Sequence, residues 1–308
     1  MIFQRKFVIA ACLSLSATLS LADADRGTVV RVVSMYISPD TTSAKLGEVE
    51  RGHDVAVLET SGKWVHVEAA MTQDRVLTGW IDSKGLILPS TANGDRILFG
   101  EAVDSEDQAS QRHGRRDAAQ DAMRLYFRIT EIFPNSPLAG EALYRAADIR
   151  WQLDKPDVTT LPSSRNPRAP MHAEVNDEFM KQVMKKYPGT KWADLAAFHL
   201  IDNKLCSDWE GSVKCPEKEA DAYEKYANDH PQSPALAEAL YDAAYRRAAL
   251  IEMYKTDNEQ KKSDESRVRA MSLAQKAAQS SPGDWGARAQ RLLYSIQEGI
   301  PTYGNAEP

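Results

Sequence analysis

The sequence predicts a multidomain chain in which a small all-β barrel is followed by an all-α solenoid of stacked helix hairpins. Short β-type runs punctuated by turn residues fill positions 27–89, and helical periodicity runs from about 118 to 300. A proline-marked corner recurs within the helical part. It reads Phe133-Pro134-Asn135-Ser136-Pro137, Tyr187-Pro188-Gly189-Thr190, His230-Pro231-Gln232-Ser233-Pro234 and, more weakly, Ser281-Pro282-Gly283-Asp284. Each corner follows one amphipathic stretch and opens another, as expected of helix pairs that bury their apolar faces only by stacking.

Residues 1–24 have the layout of a secretory signal. Arg5 and Lys6 precede the apolar, small-residue run Phe7 to Leu21, and Ala22-Asp23-Ala24 fits a small-x-small cleavage site. Ile9-Ala10-Ala11-Cys12 matches the short pattern ahead of a lipid-modified cysteine, yet most of the apolar segment lies beyond Cys12. An ordinary signal residue is expected there, and the mature chain is expected in the periplasm or cell envelope. No later stretch approaches the roughly 18 apolar residues of a membrane span.

Cleavage after Ala24 leaves 36 basic against 43 acidic residues, a net charge of −7. That balance gives no electrostatic reason to bind nucleic acid or an anionic membrane surface. Two of the three cysteines remain, Cys206 and Cys215. In an oxidising compartment they are expected to form a disulfide closing a loop of about ten residues. Two thiols without a nearby histidine make a poor metal site.

In the β-rich part, Thr28–Val33, Asp54–Glu59, Trp64–Ala69 and Gly79–Ile81 read as strands. Ser38-Pro39-Asp40, Arg51-Gly52 and Ser61-Gly62 supply the turns. Alternation is clear in Val55-Ala56-Val57-Leu58 and in Trp64-Val65-His66-Val67, so one face of each strand should be buried. Met35-Tyr36-Ile37-Ser38-Pro39-Asp40, Ser43-Ala44-Lys45-Leu46-Gly47, Val49-Glu50-Arg51-Gly52, Gly62-Lys63-Trp64-Val65-His66-Val67 and Thr78-Gly79-Trp80-Ile81 follow in order. Together these blocks resemble a bacterial SH3 domain.

The resemblance implies a half-open barrel of a kind that binds peptidoglycan or short peptides. The family's Asn-x-Arg-x-Gly-Pro type of first block is replaced here by Tyr36-Ile37-Ser38-Pro39, and Ala70 to Val76 reads as an insertion lengthening one loop. Tyr36, Trp64 and Trp80 are the aromatics placed nearest a binding groove, since flat rings stack on sugars or pack on extended peptides at small entropic cost. The competing reading puts both tryptophans in the barrel core.

Residues 90–117 read as a polar linker, either a polar helix or a tether, with the basic cluster Arg112, Arg115 and Arg116 facing solvent and nearby acids. Beyond it, Ala122, Leu125, Ile129, Ile132 and Phe133 share one helical face, and Ala142, Ala146, Ile149 and Leu153 another. Ser136-Pro137 and Ser233-Pro234 are good helix starts, serine capping free N–H groups and proline fitting the first turn.

The segments from Ser136 to Ala147 and from Ser233 to Ala244 match closely, with Ala142 opposite Ala239 and Tyr144 opposite Tyr241; Thr190–Leu200 follows more loosely, with Ala196 and Phe198 in those places. These residues resemble degenerate tetratricopeptide repeats of exported envelope proteins. The corner prolines stand 54, 43 and 51 residues apart, against 34 for the standard repeat. Lys155–Pro170, Cys206–Pro216 and Lys255–Ser266 are expected to be the inserted loops, and residues 301–308 a flexible tail.

No Gly-x-Ser-x-Gly elbow, phosphate-cradling loop or His-Glu-x-x-His helix occurs. His53, His66, His113, His172, His199 and His230 are dispersed. Glu141 and Glu238 occupy equivalent repeat positions, which argues against either being the lone acid of a peptidoglycan-lytic enzyme, the rival reading of another class. The expectation is a non-catalytic scaffold without metal or cofactor: the barrel touches cell wall or a peptide, and the helical array binds a protein partner. In an alternative, the barrel is purely structural and the array assembles an envelope complex.

Overall fold

The computed structural model describes residues 25–72, 75–160, 175–206, 209 and 211–302. The proposed signal with Cys12, most of the proline-rich stretch after Lys155, and residues 303–308 lie outside the described residues.

The N-terminal part is one antiparallel sheet of β1 (Arg26–Val29), β2 (Val33–Tyr36), β3 (Lys45–Val49), β4 (Asp54–Ser61), β5 (Trp64–Thr72), β6 (Arg75–Asp82) and β7 (Leu86–Ile87), in the order β3-β2-β6-β5-β4-β1-β7. Gly62, in the left-handed region at φ 61°, makes the tight turn that pairs Ser61 with Trp64. Register shifts at Met35/Tyr36, Val57/Glu59 and Ala70/Thr72 bend the strands. Gly79 is needed where β2 and β3 come close, because a Cβ there would stand 2.7 Å from Met35 Cγ and 2.8 Å from Leu46 Cδ1.

Two expectations change here. The run Thr28–Val33 is two strands separated by a bend. The Ala70–Val76 insertion lengthens the β5–β6 hairpin, Ala70 pairing with Val76 and Thr72 with Arg75. One face of the sheet carries its apolar core, built from Val29, Val33, Met35, Val49, Val55, Val65, Val67 and Ile81 with their neighbours.

Nine α-helices follow among the described residues: α1 (Gly94–Ser110), α2 (Ala118–Ile132), α3 (Ala139–Thr160), α4 (Glu178–Lys186), α5 (Lys191–His199), α6 (Lys214–Asp229), α7 (Leu236–Thr256), α8 (Gln260–Ser280) and α9 (Asp284–Gln297). The four proline corners join α2 to α3, α4 to α5, α6 to α7 and α8 to α9. Phe133, Tyr187 and His230 leave their helices with nearly one geometry, φ/ψ of −125/56°, −127/52° and −127/60°. The helices after two of these corners start a little beyond the proline: Ser136 Oγ accepts from Leu138 N and Ser233 Oγ from Ala235 N, both at 3.1 Å.

The matched repeat positions do equivalent work. Ala142, Ala196 and Ala239 are wholly buried, letting helices approach closely. Tyr144 stacks on Trp192, and Tyr241 packs on Trp285, ring centroids 5.5 and 5.4 Å apart, so each aromatic reaches the second helix of the next pair. Phe198 leans instead on Tyr226 of α6 at 5.2 Å.

Residues 90–117 are not a tether. α1 buries Leu98 and Ala102 against Ala122, Leu125 and Ile129 of α2, and Val30 from the β1–β2 bend and Ile87 of β7 join the same apolar cluster. The sheet therefore closes the start of the helical array by sharing its core. In the α1–α2 connection Arg112 and Arg116 are exposed, whereas Arg115 pairs with Asp121 at 2.9 Å. The expected loop at Lys255–Ser266 shrinks to Asp257–Glu259, with Asn258 at φ 60°, because the charged residues after it belong to α8.

Candidate functional site

The sequence-derived residues Tyr36, Trp64 and Trp80 come together on the sheet face opposite its valine core. Alternation sets this: Met35, Val65, Val67 and Ile81 point into the core, so their neighbours in sequence point away. Tyr36 pairs with Trp80 across β2 and β6, and His66 with Trp80 across β5 and β6. The His66 and Trp80 rings stack at 4.8 Å and 12°, while Tyr36 meets Trp64 edge-on at 5.8 Å and 87°.

Of the two tryptophans read as core, Trp80 is half-buried, and neither ring joins the apolar cluster around Val65, Val67 and Ile81. Trp64 is nevertheless buried at 7% exposure, with the Lys63 ammonium 5.4 Å over its ring. Tyr36, His66 and Trp80 are half-buried. His66 was missed as part of this group, although its place two residues after Trp64 in one strand puts both on one face. Its Nδ1 lies 3.3 Å from Glu59 Oε1.

The β2–β3 loop beside this strip is held by its own hydrogen bonds. Asp40 accepts from Thr42 N at 2.9 Å and Thr42 Oγ1 at 2.7 Å, and Ser43 Oγ donates to Asp40 O at 2.8 Å. The backbone and hydroxyl donors of Thr42 lower the Asp40 pKa, with a smaller contribution from Lys63. The Lys63 ammonium that stands over Trp64 thus also favours the charged Asp40 carboxylate of this loop.

In the helical part, Cys206 and Cys215 form the expected disulfide, their Cα atoms 6.0 Å apart. The bridge ties the loop after α5 to the first turn of α6. Glu219, one turn further along α6, accepts from Cys206 N at 2.8 Å and Trp209 Nε1 at 3.2 Å through Oε1, and from Arg246 Nε at 2.9 Å through Oε2.

Two of the dispersed histidines join consecutive helical units. His199 Nε2 lies 3.3 Å from Asp148 Oδ1 of α3, and His230 Nδ1 lies 2.7 Å from Asp194 Oδ1 of α5. Burial raises the Asp148 pKa against the opposing charge of His199. Tyr226, whose hydroxyl donates to Asp194 O at 2.9 Å, is pushed up to about 12, chiefly by burial. Glu141 is engaged by Arg145 at 2.9 Å. Among the described residues no group of three or more His, Cys, Asp or Glu is placed to hold a metal ion, and no helix is long and apolar enough to cross a membrane.

No family model matches the chain, and no curated protein matches it significantly. Solved structures similar to it include the DHF58 filament, 14% identical, covering 66% of this chain and 91% of that one at a TM-score of 0.24. The DHF79 filament is 14% identical, with 65% and 96% covered at 0.21. The de novo designed helical repeat protein DHR64 is 16% identical, with 68% and 95% covered at 0.21. At these scores the likeness carries no argument.

Proposed function

We propose that the protein is an exported, non-catalytic scaffold. In this reading the sheet is an SH3-like barrel of the bacterial type that touches peptidoglycan or a short peptide, and the helices form a tetratricopeptide-like array that binds a protein partner. The disulfide and the absence of a membrane-spanning helix among the described residues are consistent with export. The observation that carries the reading is the aromatic strip: Tyr36, His66 and Trp80 occupy the face that the sheet's own core does not use. Half-exposed rings with charges at their margin suit a sugar or an extended peptide.

The two parts share a core, so affinity would come from one rigid body presenting two surfaces and not from a flexible tether. For the same reason a deletion of residues 27–89 is a poor test, because it would strip cover from Leu98 and Leu125. A better test incubates residues 25–308 with insoluble peptidoglycan, alongside the paired substitution Tyr36→Ala with Trp80→Ala. Protein in the pellet that is lost on substitution, with no fragments released, supports the reading. Release of soluble fragments would instead indicate a lytic enzyme.

The near-complete burial of Trp64 and the shared core favour a second reading. There the sheet is a structural cap and the array alone assembles an envelope complex. Equal pelleting of the two proteins, or none, with partner capture unchanged would support it.

A further inference from the structure

His53 stands immediately before β4, at the seam between sheet and helices. Its Nε2 is buried and forms no hydrogen bond, although Glu50 Oε2 lies 3.4 Å away. The two carbonyls preceding it are held by guanidinium groups from α2: Arg124 Nε donates to Arg51 O at 3.3 Å and Arg128 Nε to Gly52 O at 3.4 Å. Asp121 pairs with Arg124 at 2.7 Å, and Asp54 pairs with Arg128 at 2.9 Å and also with Arg26. From α1, Glu101 and Asp104 are directed to Arg51. From β5, the Ala70 backbone acts to raise the His53 pKa. Glu101, Asp104, Asp121 and Asp54 are thus committed to arginines, and Glu50, whose Oε2 also lies 3.9 Å from Arg124, offsets a charge on His53 only in part.

We infer that His53 is an acid-sensitive latch: the neutral imidazole fits the seam, and its protonation loosens the sheet from α1 and α2. Desolvation first, then the charges of Arg124 and Arg128, hold its pKa below the ordinary histidine value, with Glu50 and the Ala70 backbone opposing. An undocked His53 regains that ordinary affinity for a proton. Docking therefore weakens as pH falls through about 6.5 and onward to the docked value. Asp54 does not compete in that window. Burial alone would raise its pKa, but Arg128 and Arg26 outweigh burial and keep it lowered, so it stays ionised.

The same residues explain why this device would act on domain docking and not on the whole fold. The seam joins an apolar cluster, in which Val30 and Ile87 meet Leu98 and Leu125, to a rim of ion pairs. Adding a cation to that rim opposes only the contacts across it. The valine core of the sheet and the packed pairs α6–α7 and α8–α9 lie elsewhere.

The test uses residues 25–308 with spin labels on Thr60→Cys at the β4–β5 hairpin and Lys276→Cys on α8, both exposed positions. Distance distributions are recorded from about pH 7.5 to about pH 5. A several-fold rise in the long-distance population toward acid, absent in His53→Gln, is the expected result. His53→Lys should show that population already near neutral pH, with unchanged helical circular dichroism. An unchanged distance in the parent protein, the same acid opening in His53→Gln, or a fully docked His53→Lys would each overturn the latch.

Discussion

Arg246 of α7 donates through Nε to Glu219 of α6 at 2.9 Å, and their side chains are only 7% and 2% exposed. Glu219 is also the acceptor for the disulfide loop, so one carboxylate joins two helices and the cross-linked segment. Replacing it by alanine leaves the Arg246 guanidinium buried beside Asp242, at 3.3 Å. The expected loss is about 3 kcal/mol, the low end for breaking a buried pair, because Asp242 keeps part of the compensation. Urea unfolding followed by circular dichroism would show it as a lower midpoint with an unchanged slope.

Removing the Cys206–Cys215 bridge by the paired substitution to serine should cost about 2 to 3 kcal/mol, the entropy of freeing a loop of about ten residues in the unfolded chain. Reductant should lower the melting temperature of the parent protein to that of the variant. Since Cys206 N and Trp209 Nε1 both bond Glu219, the Glu219 and cysteine substitutions should be non-additive.

Helix pairs and their corners were legible in the sequence because proline and a capping serine act locally, and the disulfide was legible because Cys206 and Cys215 are the two cysteines beyond the expected signal. α1 was obscured by its composition: Leu98 and Ala102 are the apolar residues that it buries deepest, amid charge. β3 was missed because Val49 is its one β-branched residue, and its pairing with β2 makes it a strand. The aromatic group was seen residue by residue, but its face could not be assigned. That required knowing that Val65, Val67 and Ile81 already fill the core.

Gly52 tests the seam from the backbone. It adopts φ 76°, and a Cβ there would stand 2.8 Å from Arg124 Cβ. Gly52→Ala combines a left-handed conformation costing about 1 kcal/mol with a clash that displaces α2. Hydrogen exchange should accelerate in α1, α2 and β1 while α6 to α9 keep their protection.

Acid should destabilise the C-terminal pairs through Glu224. Burial alone would raise its pKa, but Arg269 and Arg247 outweigh it and hold the carboxyl below its ordinary value. A lowered carboxyl stabilises the fold above the unfolded pKa near 4.3, and that contribution is lost as pH falls through the folded value. Glu224→Gln should be less stable at neutral pH and should show a flatter acid limb in a plot of melting temperature against pH.

Neighbouring residues of β6 should respond in opposite ways to truncation, which tests the face assignment beneath the proposed function. Ile81 is wholly buried in the valine core, so Ile81→Ala should cost about 2 to 5 kcal/mol. Trp80 points the other way and makes its ring contact with His66. Trp80→Ala should lose little more than that pairing, about 1 kcal/mol, despite removing the larger side chain. Equilibrium unfolding of the two variants under one buffer gives the comparison. A Trp80→Ala loss as large as that of Ile81→Ala would place the indole inside the core and leave no aromatic strip for a ligand to meet.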